Sequence, residues 1–195
     1  MPEGGWWGVE GPPEEAYSRV TNAERFRPLH GAMREIIRRL ESDFEVERED
    51  GFGLDADLEK RLELAGPSVR LTPRNAGAAP IAVVFTTFPG LRLRFGRWYE
   101  EPFPDCGCDA CDESAAGEIE RLNEMVEDVI AGRFRETLRR PLISFMGSSW
   151  LETRFWSPDG FRSRSGSRVW REDAERMSGG RRRLVLDWKS WILDC

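Results

Sequence analysis

The stretch from residue 81 to residue 95 constrains the fold most tightly, because it predicts two strands joined by a tight turn. Large apolar residues alternate over residues 81–85, and they alternate with two arginines over residues 91–95. Pro89-Gly90 lies between the runs, where proline fixes one backbone angle and glycine tolerates a positive one. The pattern predicts a half-buried antiparallel hairpin. Its inward residues are Ile81, Val83, Phe85, Leu91, Leu93 and Phe95.

Further strands are predicted on both sides of this hairpin. Before it, residues 44–48 and 68–72 have the composition of strands. After it, Ser157-Pro158-Asp159-Gly160 is a turn signal that separates a run at 150–156 from a run at 161–170. Leu184, Leu186 and Trp188 alternate in a last strand. The chain therefore contains enough strands for a mainly antiparallel sheet.

Two long segments have the 3.6-residue period of amphipathic helices. In the first, Thr21 and Glu24 have the spacing of a capping box, and apolar residues continue to about Asp43. Pro28 lacks an N–H donor, so this helix kinks or begins there. The second helix is predicted from Ile119 to Leu138, and Pro141 ends it. Its apolar residues are Ile119, Leu122, Met125, Val126, Val129, Ile130, Phe134 and Leu138.

Together these elements predict an α+β fold, a single layered domain in which both long helices pack on one face of a mainly antiparallel sheet. A chain of 195 residues suits one domain. We expect residues 1–16, rich in Gly, Pro and Glu, to be a loosely ordered segment, with Trp6 and Trp7 able to occupy a groove. Residues 17–195 then form the domain, with a short helix near 58–64. The predicted core contains Ile37, Phe85, Leu93, Leu122, Val126 and Val129.

Charge and hydropathy exclude several functional classes. The net charge of −6 argues against a general binder of nucleic acid or anionic membranes. The charge is uneven, since residues 1–65 carry −7 and residues 138–195 carry +5, so the two ends can attract each other within one fold or between copies of a homo-oligomer. No apolar run approaches the ~18 residues that span a bilayer. With no signal peptide evident, we expect a cytoplasmic protein with reduced thiols.

Three cysteines concentrate the candidate chemistry of the chain. Cys106, Cys108 and Cys111 have the spacing C-x-C-x2-C, between a predicted strand and the second helix. A tight loop that contains glycine can point all three thiols at one centre, and thiolates suit zinc in tetrahedral sites. These three residues are therefore the candidate metal ligands, with zinc as the candidate cofactor, and the alternative is a tight loop of reduced thiols of which two can oxidise. The candidates for a fourth ligand are Cys195, His30, Asp105, Asp109, Asp112, Glu113 and water.

Other catalytic centres have less support. Cys108 and Cys111 have the spacing of a redox pair, but the neighbouring carboxylates disfavour a thiolate. His30, the single histidine, lies beside the apolar face of the first helix, where a packed structural histidine is expected. Phosphate-binding glycine motifs are absent from the sequence. A basic tail with interleaved tryptophans suits single-stranded nucleic acid, but the net charge favours a basic surface that faces the acidic front half. That tail comprises Arg162, Arg164, Arg168, Arg181, Arg182 and Arg183, with Trp170, Trp188 and Trp191.

Several motifs resemble an actinobacterial family of uncharacterised proteins that is known only as a domain of unknown function. The most distinctive is Phe103-Pro-Asp-Cys-Gly-Cys-Asp-Ala-Cys-Asp-Glu113, and the resemblance covers most of the chain. It implies an actinobacterial origin and a shared fold. It carries over no catalytic residue, because the family has no assigned activity. Further similar segments are Tyr17–Asn22, Val84–Gly90, Phe95–Trp98, Ala131–Phe134 and Trp188–Trp191.

The sequence thus predicts a non-enzymatic cytoplasmic domain with a thiol-rich loop, a candidate structural zinc site, and a role in binding an unknown partner. No catalytic or cofactor-binding residue is predicted outside the loop. We expect neither membrane nor nucleic acid among its partners. The alternative is an enzyme that uses the cysteine loop as a catalytic metal or redox thiol centre.

Overall fold

The fold is that of a computed structural model, which describes residues 11–51, 63–141 and 147–192. In these ranges lie three α-helices, two short 3-10 helices at Glu14–Ser18 and Ala23–Phe26, and nine strands. The helices are α1 (Pro28–Asp43), α2 (Ala115–Ile130) and α3 (Arg171–Ser178). The strands are β1 (Val46–Asp50), β2 (Val69–Pro73), β3 (Ile81–Phe85), β4 (Leu91–Phe95), β5 (Tyr99–Phe103), β6 (Phe134–Arg139), β7 (Ser149–Ser157), β8 (Gly160–Val169) and β9 (Arg183–Asp187).

All named strand pairs are antiparallel, so the predicted α+β class is confirmed. The strands form two sheets, with orders β1-β2-β3-β4-β5 and β8-β7-β6-β9. The first is a meander in which each strand pairs with the next along the chain. In the second sheet β9 pairs with β6, because α3 carries the chain from the β8 edge of the sheet to the opposite edge.

The predicted hairpin is β3–β4, with Val83 opposite Leu93. Burial alternates along β4 as expected, but all five residues of β3 are buried. On the other face of β3, the small residue Ala82 lies between the longer side chains of Arg70 and Arg94. The prediction of a positive backbone angle at Gly90 is wrong. A Cβ there would lie 2.6 Å from the carbonyl oxygen of Phe103, so close packing accounts for the absence of a side chain.

The second long helix is shorter than predicted, because α2 ends at Ile130. Gly132 has a φ of +72°, and a Cβ on it would lie 2.5 Å from the backbone nitrogen of Ser190. The chain turns there, and Phe134 and Leu138 are buried residues of β6 rather than helical ones. A spacing of four residues fits both a helix and one face of a strand, which is why the periodicity misassigned this segment.

The first long helix begins at Pro28, where proline occupies the first turn and its missing N–H has no cost. The predicted capping box is not formed. The Thr21 hydroxyl donates to Asp109 Oδ1 at 3.1 Å, and the residues after it form a 3-10 turn. The chain enters α1 through this turn.

Helices α1 and α2 share one core with both sheets. All six residues predicted for the core belong to it, from Ile37 of α1 to Val129 of α2. The turn at Ser157–Gly160 and the last strand are confirmed, whereas α3 was not predicted. No helix among the residues described has the length and apolar character that a membrane crossing demands.

Part of the predicted N-terminal segment is described. Residues 14–18 form a short 3-10 helix in which Ala16 is fully buried. Trp6, Trp7 and most of the predicted helix near 58–64 lie outside the described residues.

Candidate metal centre

The cysteine loop connects β5 to the amino end of α2. Ser114 caps this helix, since its hydroxyl oxygen accepts from the Gly117 N–H at 3.1 Å. Gly107 turns the chain with a φ of +75°, and a Cβ there would lie 2.9 Å from the Phe88 ring. Only glycine fits this position without displacing the ring. The loop is therefore built around a tight turn, as its composition predicts.

The three thiols of the loop converge. The Sγ atoms of Cys106, Cys108 and Cys111 all lie within 4.8 Å of one another, and Cys108 and Cys111 are 3.4 Å apart. All three are free cysteines, with Cys108 buried and the other two exposed. Neighbouring sulfurs around a tetrahedral zinc ion are about 3.8 Å apart, given Zn–S bonds of about 2.3 Å. The observed spacing is close to what such an ion requires.

Hydrogen bonds within the loop separate the pKa values of two of these thiols. Hydrogen bonds lower the pKa of the Cys108 thiol. The largest contribution comes from the Cys106 thiol, followed by the thiol and backbone of Cys111 and the backbone of Ala110. Hydrogen bonds with the thiols of Cys108 and Cys106, together with desolvation, raise the pKa of Cys111 to about 12. Of these two thiols, that of Cys108 is therefore the more acidic.

Two of the four neighbouring carboxylates are occupied in fixing the loop. Asp109 accepts from the Thr21 N–H at 2.9 Å and from Arg19 Nε at 3.1 Å, which lowers the pKa of its carboxyl group. Glu113 accepts from the Gly107 N–H at 2.6 Å and, at 3.3 Å, from the Cys106 N–H. These carboxylates attach the loop to the segment before α1 and close it onto itself.

Arg25 places a positive charge beside the cysteines, a role that the sequence did not indicate. Its Nη2 donates to the carbonyl oxygens of Gly107 at 3.0 Å and Cys108 at 3.3 Å, while Nε donates to that of Glu113 at 3.3 Å. Its guanidinium carbon lies 4.4 Å from the centre of the Phe26 ring. Arg25 thus ties the 3-10 turn before α1 to both ends of the loop.

Of the candidate fourth ligands that the structure describes, none joins the three sulfurs. Among residues 11–51, 63–141 and 147–192, the only group of three or more converging ligand atoms consists of these cysteines. The expectation of a structural histidine is confirmed, because His30 Nε2 lies 2.9 Å from the Gly90 carbonyl oxygen and its ring packs edge-on against Phe85. Cys195 lies outside the described residues.

The basic tail is dispersed in the fold. Arg162 Nε lies 2.7 Å from Asp128 Oδ2, and Arg164 pairs with Glu152. The Trp191 indole is buried and donates to the Ala79 carbonyl oxygen at 2.9 Å. Arg162, Arg164 and Trp191 are thus engaged within the fold, whereas Trp170 is 80% exposed.

A buried carboxylate on β6, Glu136, also escaped the sequence analysis. Its Oε1 accepts from the Trp98 and Tyr99 N–H groups at 2.7 and 2.9 Å, and its Oε2 accepts from the Arg97 N–H and the Trp188 indole at 2.9 and 3.0 Å. Burial raises the pKa of Glu136, and these four donors oppose that effect. The residue joins the second sheet to the turn between β4 and β5.

Comparison with known proteins extends these observations to the level of the family. No curated protein and no solved structure matched the chain. One family model matches residues 4–194, which is nearly the whole sequence. The chain therefore belongs to the family of unknown function DUF6226.

Proposed function

We propose that the cysteine loop binds one zinc ion through Cys106, Cys108 and Cys111, and that the ion stabilises the turn into α2. The observation that carries this proposal is the convergence of three free thiols within 4.8 Å. A domain of this kind is non-enzymatic, serves in binding a partner, and works in a reducing compartment such as the cytoplasm, where thiols persist. The ion contributes to folding, because the unfolded loop offers no preformed site.

The charges around the loop support binding of a cation by three thiolates. Zn²⁺ with three thiolates has a net charge of −1, which the Arg25 guanidinium beside the loop partly offsets. The amino end of α2 favours negative charge in the same place. Asp109 is paired with Arg19, and Glu113 accepts from backbone amides, so neither carboxylate needs the ion as a partner.

The fourth position is assigned to solvent in this proposal. The Trp191 N–H donates to the carbonyl oxygen of Ile130, at the carboxyl end of α2, whereas the cysteine loop precedes its amino end. A helix of 16 residues is about 24 Å long. Cys195 follows Trp191 by four positions, and four extended residues reach about 14 Å. A ligand from Cys195 of the same chain is therefore not expected.

The competing function is an enzyme that uses the loop as a catalytic centre. A solvent ligand is what catalytic zinc sites keep, and the 3.4 Å contact between Cys108 and Cys111 suits a pair that forms a disulfide. The two forms of this alternative, a metal centre and a redox pair, differ in how many thiols can be titrated. A metal centre protects them from titration until the ion is removed, whereas a redox pair alternates between two free thiols and none.

Elemental analysis combined with thiol titration tests the proposal. Protein purified under reducing conditions with zinc supplied should retain about one zinc per chain. Removing the ion with a chelator should lower the melting temperature and expose three additional titratable thiols. Cys108→Ser should lose the metal, whereas the matched control Cys195→Ser should retain it. A metal-free wild-type protein whose melting temperature is unchanged by chelator would contradict the proposal.

A further inference from the structure

One face of the second sheet has a transverse row of arginines around a tryptophan. Strand register places Arg168 of β8 opposite Trp150 of β7, Trp150 opposite Arg139 of β6, and Arg139 opposite Arg183 of β9. Directly opposed residues share a face of the sheet, so the four side chains form one line across all four strands. All four residues are exposed. We call this line the Arg–Trp row.

The arginines of the Arg–Trp row have no counter-charges among the residues that the structure describes. In the part of the chain that the structure describes, none of their guanidinium groups has a salt bridge or hydrogen bond. Arg139 and Arg183 face each other, and directly opposed like charges destabilise a sheet. An anion bound between the two guanidinium groups relieves this repulsion.

The side chain of the tryptophan in the middle of the row is accessible to solvent. Trp150 is 42% exposed, and its indole lies over Gly166 of β8, where a Cβ would be 2.7 Å from Nε1. The glycine leaves room for a flat ring against the sheet, so one ring face can meet a ligand. A cleft of about 200 Å³ beside the row adds Trp170 and Arg171.

We infer that the Arg–Trp row binds a segment of single-stranded nucleic acid, with phosphates on Arg139, Arg168 and Arg183 and a base stacked on Trp150. Single-stranded nucleic acid combines the two groups that this surface complements, a chain of anions and flat aromatic bases. The carboxylates of an acidic peptide or the phosphate of a lipid headgroup pair with the arginines, but neither ligand supplies a base to stack on the indole. The surface belongs to the second sheet and is independent of the cysteine loop.

The net charge of the whole chain limits the affinity of this surface without removing it. At −6 the protein repels polyanions as a whole, while the local field over the row is positive. Binding is therefore expected to be weak at physiological salt and strong at low salt. For single strands, the slope of log K against log salt is about −0.7 per phosphate, which gives about −2 for three arginines.

Fluorescence anisotropy with a labelled oligodeoxythymidylate, and with an abasic strand of equal length, tests the inference. Wild-type protein should bind the oligonucleotide saturably at about 50 mM salt, and the triple variant Arg139→Gln, Arg168→Gln, Arg183→Gln should lose binding and most of the salt slope. Trp150→Leu should weaken the oligonucleotide about tenfold and leave the abasic strand unchanged. Thermal melts should show that all variants fold.

The matched control removes three exposed arginines from other surfaces. Arg27→Gln, Arg38→Gln, Arg74→Gln changes the net charge by the same amount, and these side chains are 69–74% exposed. It should bind the oligonucleotide within about twofold of wild type. The inference is overturned by absent wild-type binding, by equal loss in the control, or by equal affinity of Trp150→Leu and wild type. Binding of anionic vesicles or polyglutamate instead of the oligonucleotide would also overturn it, in favour of a lipid surface or an acidic protein.

Discussion

At the residue scale, Glu136 carries the connection between the two sheets. Each of its oxygens accepts two N–H donors, from three backbone amides of the first sheet's β4–β5 turn and from one indole. The residue is fully buried, so water cannot replace a lost acceptor. The four donors fix the position of the turn relative to β6, because each needs this one carboxyl group.

Replacing this carboxyl group with an amide should therefore destabilise the fold. In Glu136→Gln an NH₂ group replaces one carboxylate oxygen. The two N–H donors at that position then face a group that cannot accept their hydrogen bonds. We expect a loss of about 2–4 kcal/mol, because unsatisfied buried donors cost about 1–3 kcal/mol each. Urea unfolding measures the change. Glu120→Gln, at an exposed position of α2, is the control and should lie within about 0.5 kcal/mol of wild type. Equal stability of the two variants would contradict the role given to Glu136.

Arg25 and the carboxylates of the cysteine loop illustrate what the sequence can and cannot supply. The three thiols were predicted correctly as a group because they are neighbours along the chain. The partners that fix the loop, Arg19, Thr21 and Arg25, lie more than 80 positions away. Those contacts arise only when the segment before α1 packs against the loop, which a single sequence does not encode in any local pattern.

At the element scale, the ends of helices were the weakest part of the sequence prediction. The apolar residues at 130, 134 and 138 continue the helical spacing past Gly132, where the chain leaves the helix. The missed helix α3 has only Ala174 and Met177 as apolar residues, too few for a period to be recognised. By contrast, the hairpin and the turn at Ser157–Gly160 combine alternation with turn residues, and both are confirmed.

The turn after α2 gives a test that separates backbone constraint from helix propensity. Gly132→Ala should cost about 2–4 kcal/mol, because alanine is strained at positive φ and its Cβ meets the backbone of Ser190. Gly31, within α1, has open space around it, so Gly31→Ala should stabilise by about 0.5–1 kcal/mol. Thermal and urea unfolding of the pair measure both effects. A gain or no change in Gly132→Ala would show that this turn does not require glycine.

The Arg–Trp row shows why a surface formed by a sheet escapes a linear sequence analysis. Its residues come from four strands, and β9 joins the sheet next to β6 rather than next to β8. Arg168 and Arg183 lie near Trp188 along the chain, whereas strand register places them with Trp150 and Arg139. Register decides the grouping, and the short turn that fixes it for β7–β8 has no counterpart between β6 and β9.

At the scale of the whole molecule, one core joins both long helices to both sheets. Leu93 of β4 and Val129 of α2 are fully buried in it and come from different layers. Leu93→Ala and Val129→Ala should each cost about 2–4 kcal/mol, because each removes buried methyl groups and leaves a cavity. Urea unfolding measures both. Losses below about 0.5 kcal/mol in both variants would show that these faces are not the core.

The proposed function depends on the cysteine loop, which lies at the edge of this core. It lies where the segment before α1, strand β5 and helix α2 meet, so an ion bound there links three parts of the chain. A metal at such a junction stabilises the fold as a whole, and its loss is expected to affect global unfolding rather than the loop alone.

X-ray absorption spectroscopy at the zinc edge, on wild-type protein loaded with about one equivalent of zinc, tests this central claim most directly. Three converging thiols and a solvent molecule predict three sulfur neighbours at about 2.3 Å and one lighter neighbour near 2.0 Å. The sulfur shell should vanish in Cys108→Ser loaded in the same way and persist in Cys195→Ser. A zinc ion surrounded only by nitrogen and oxygen atoms, or protein that fails to retain zinc at all, would contradict the account.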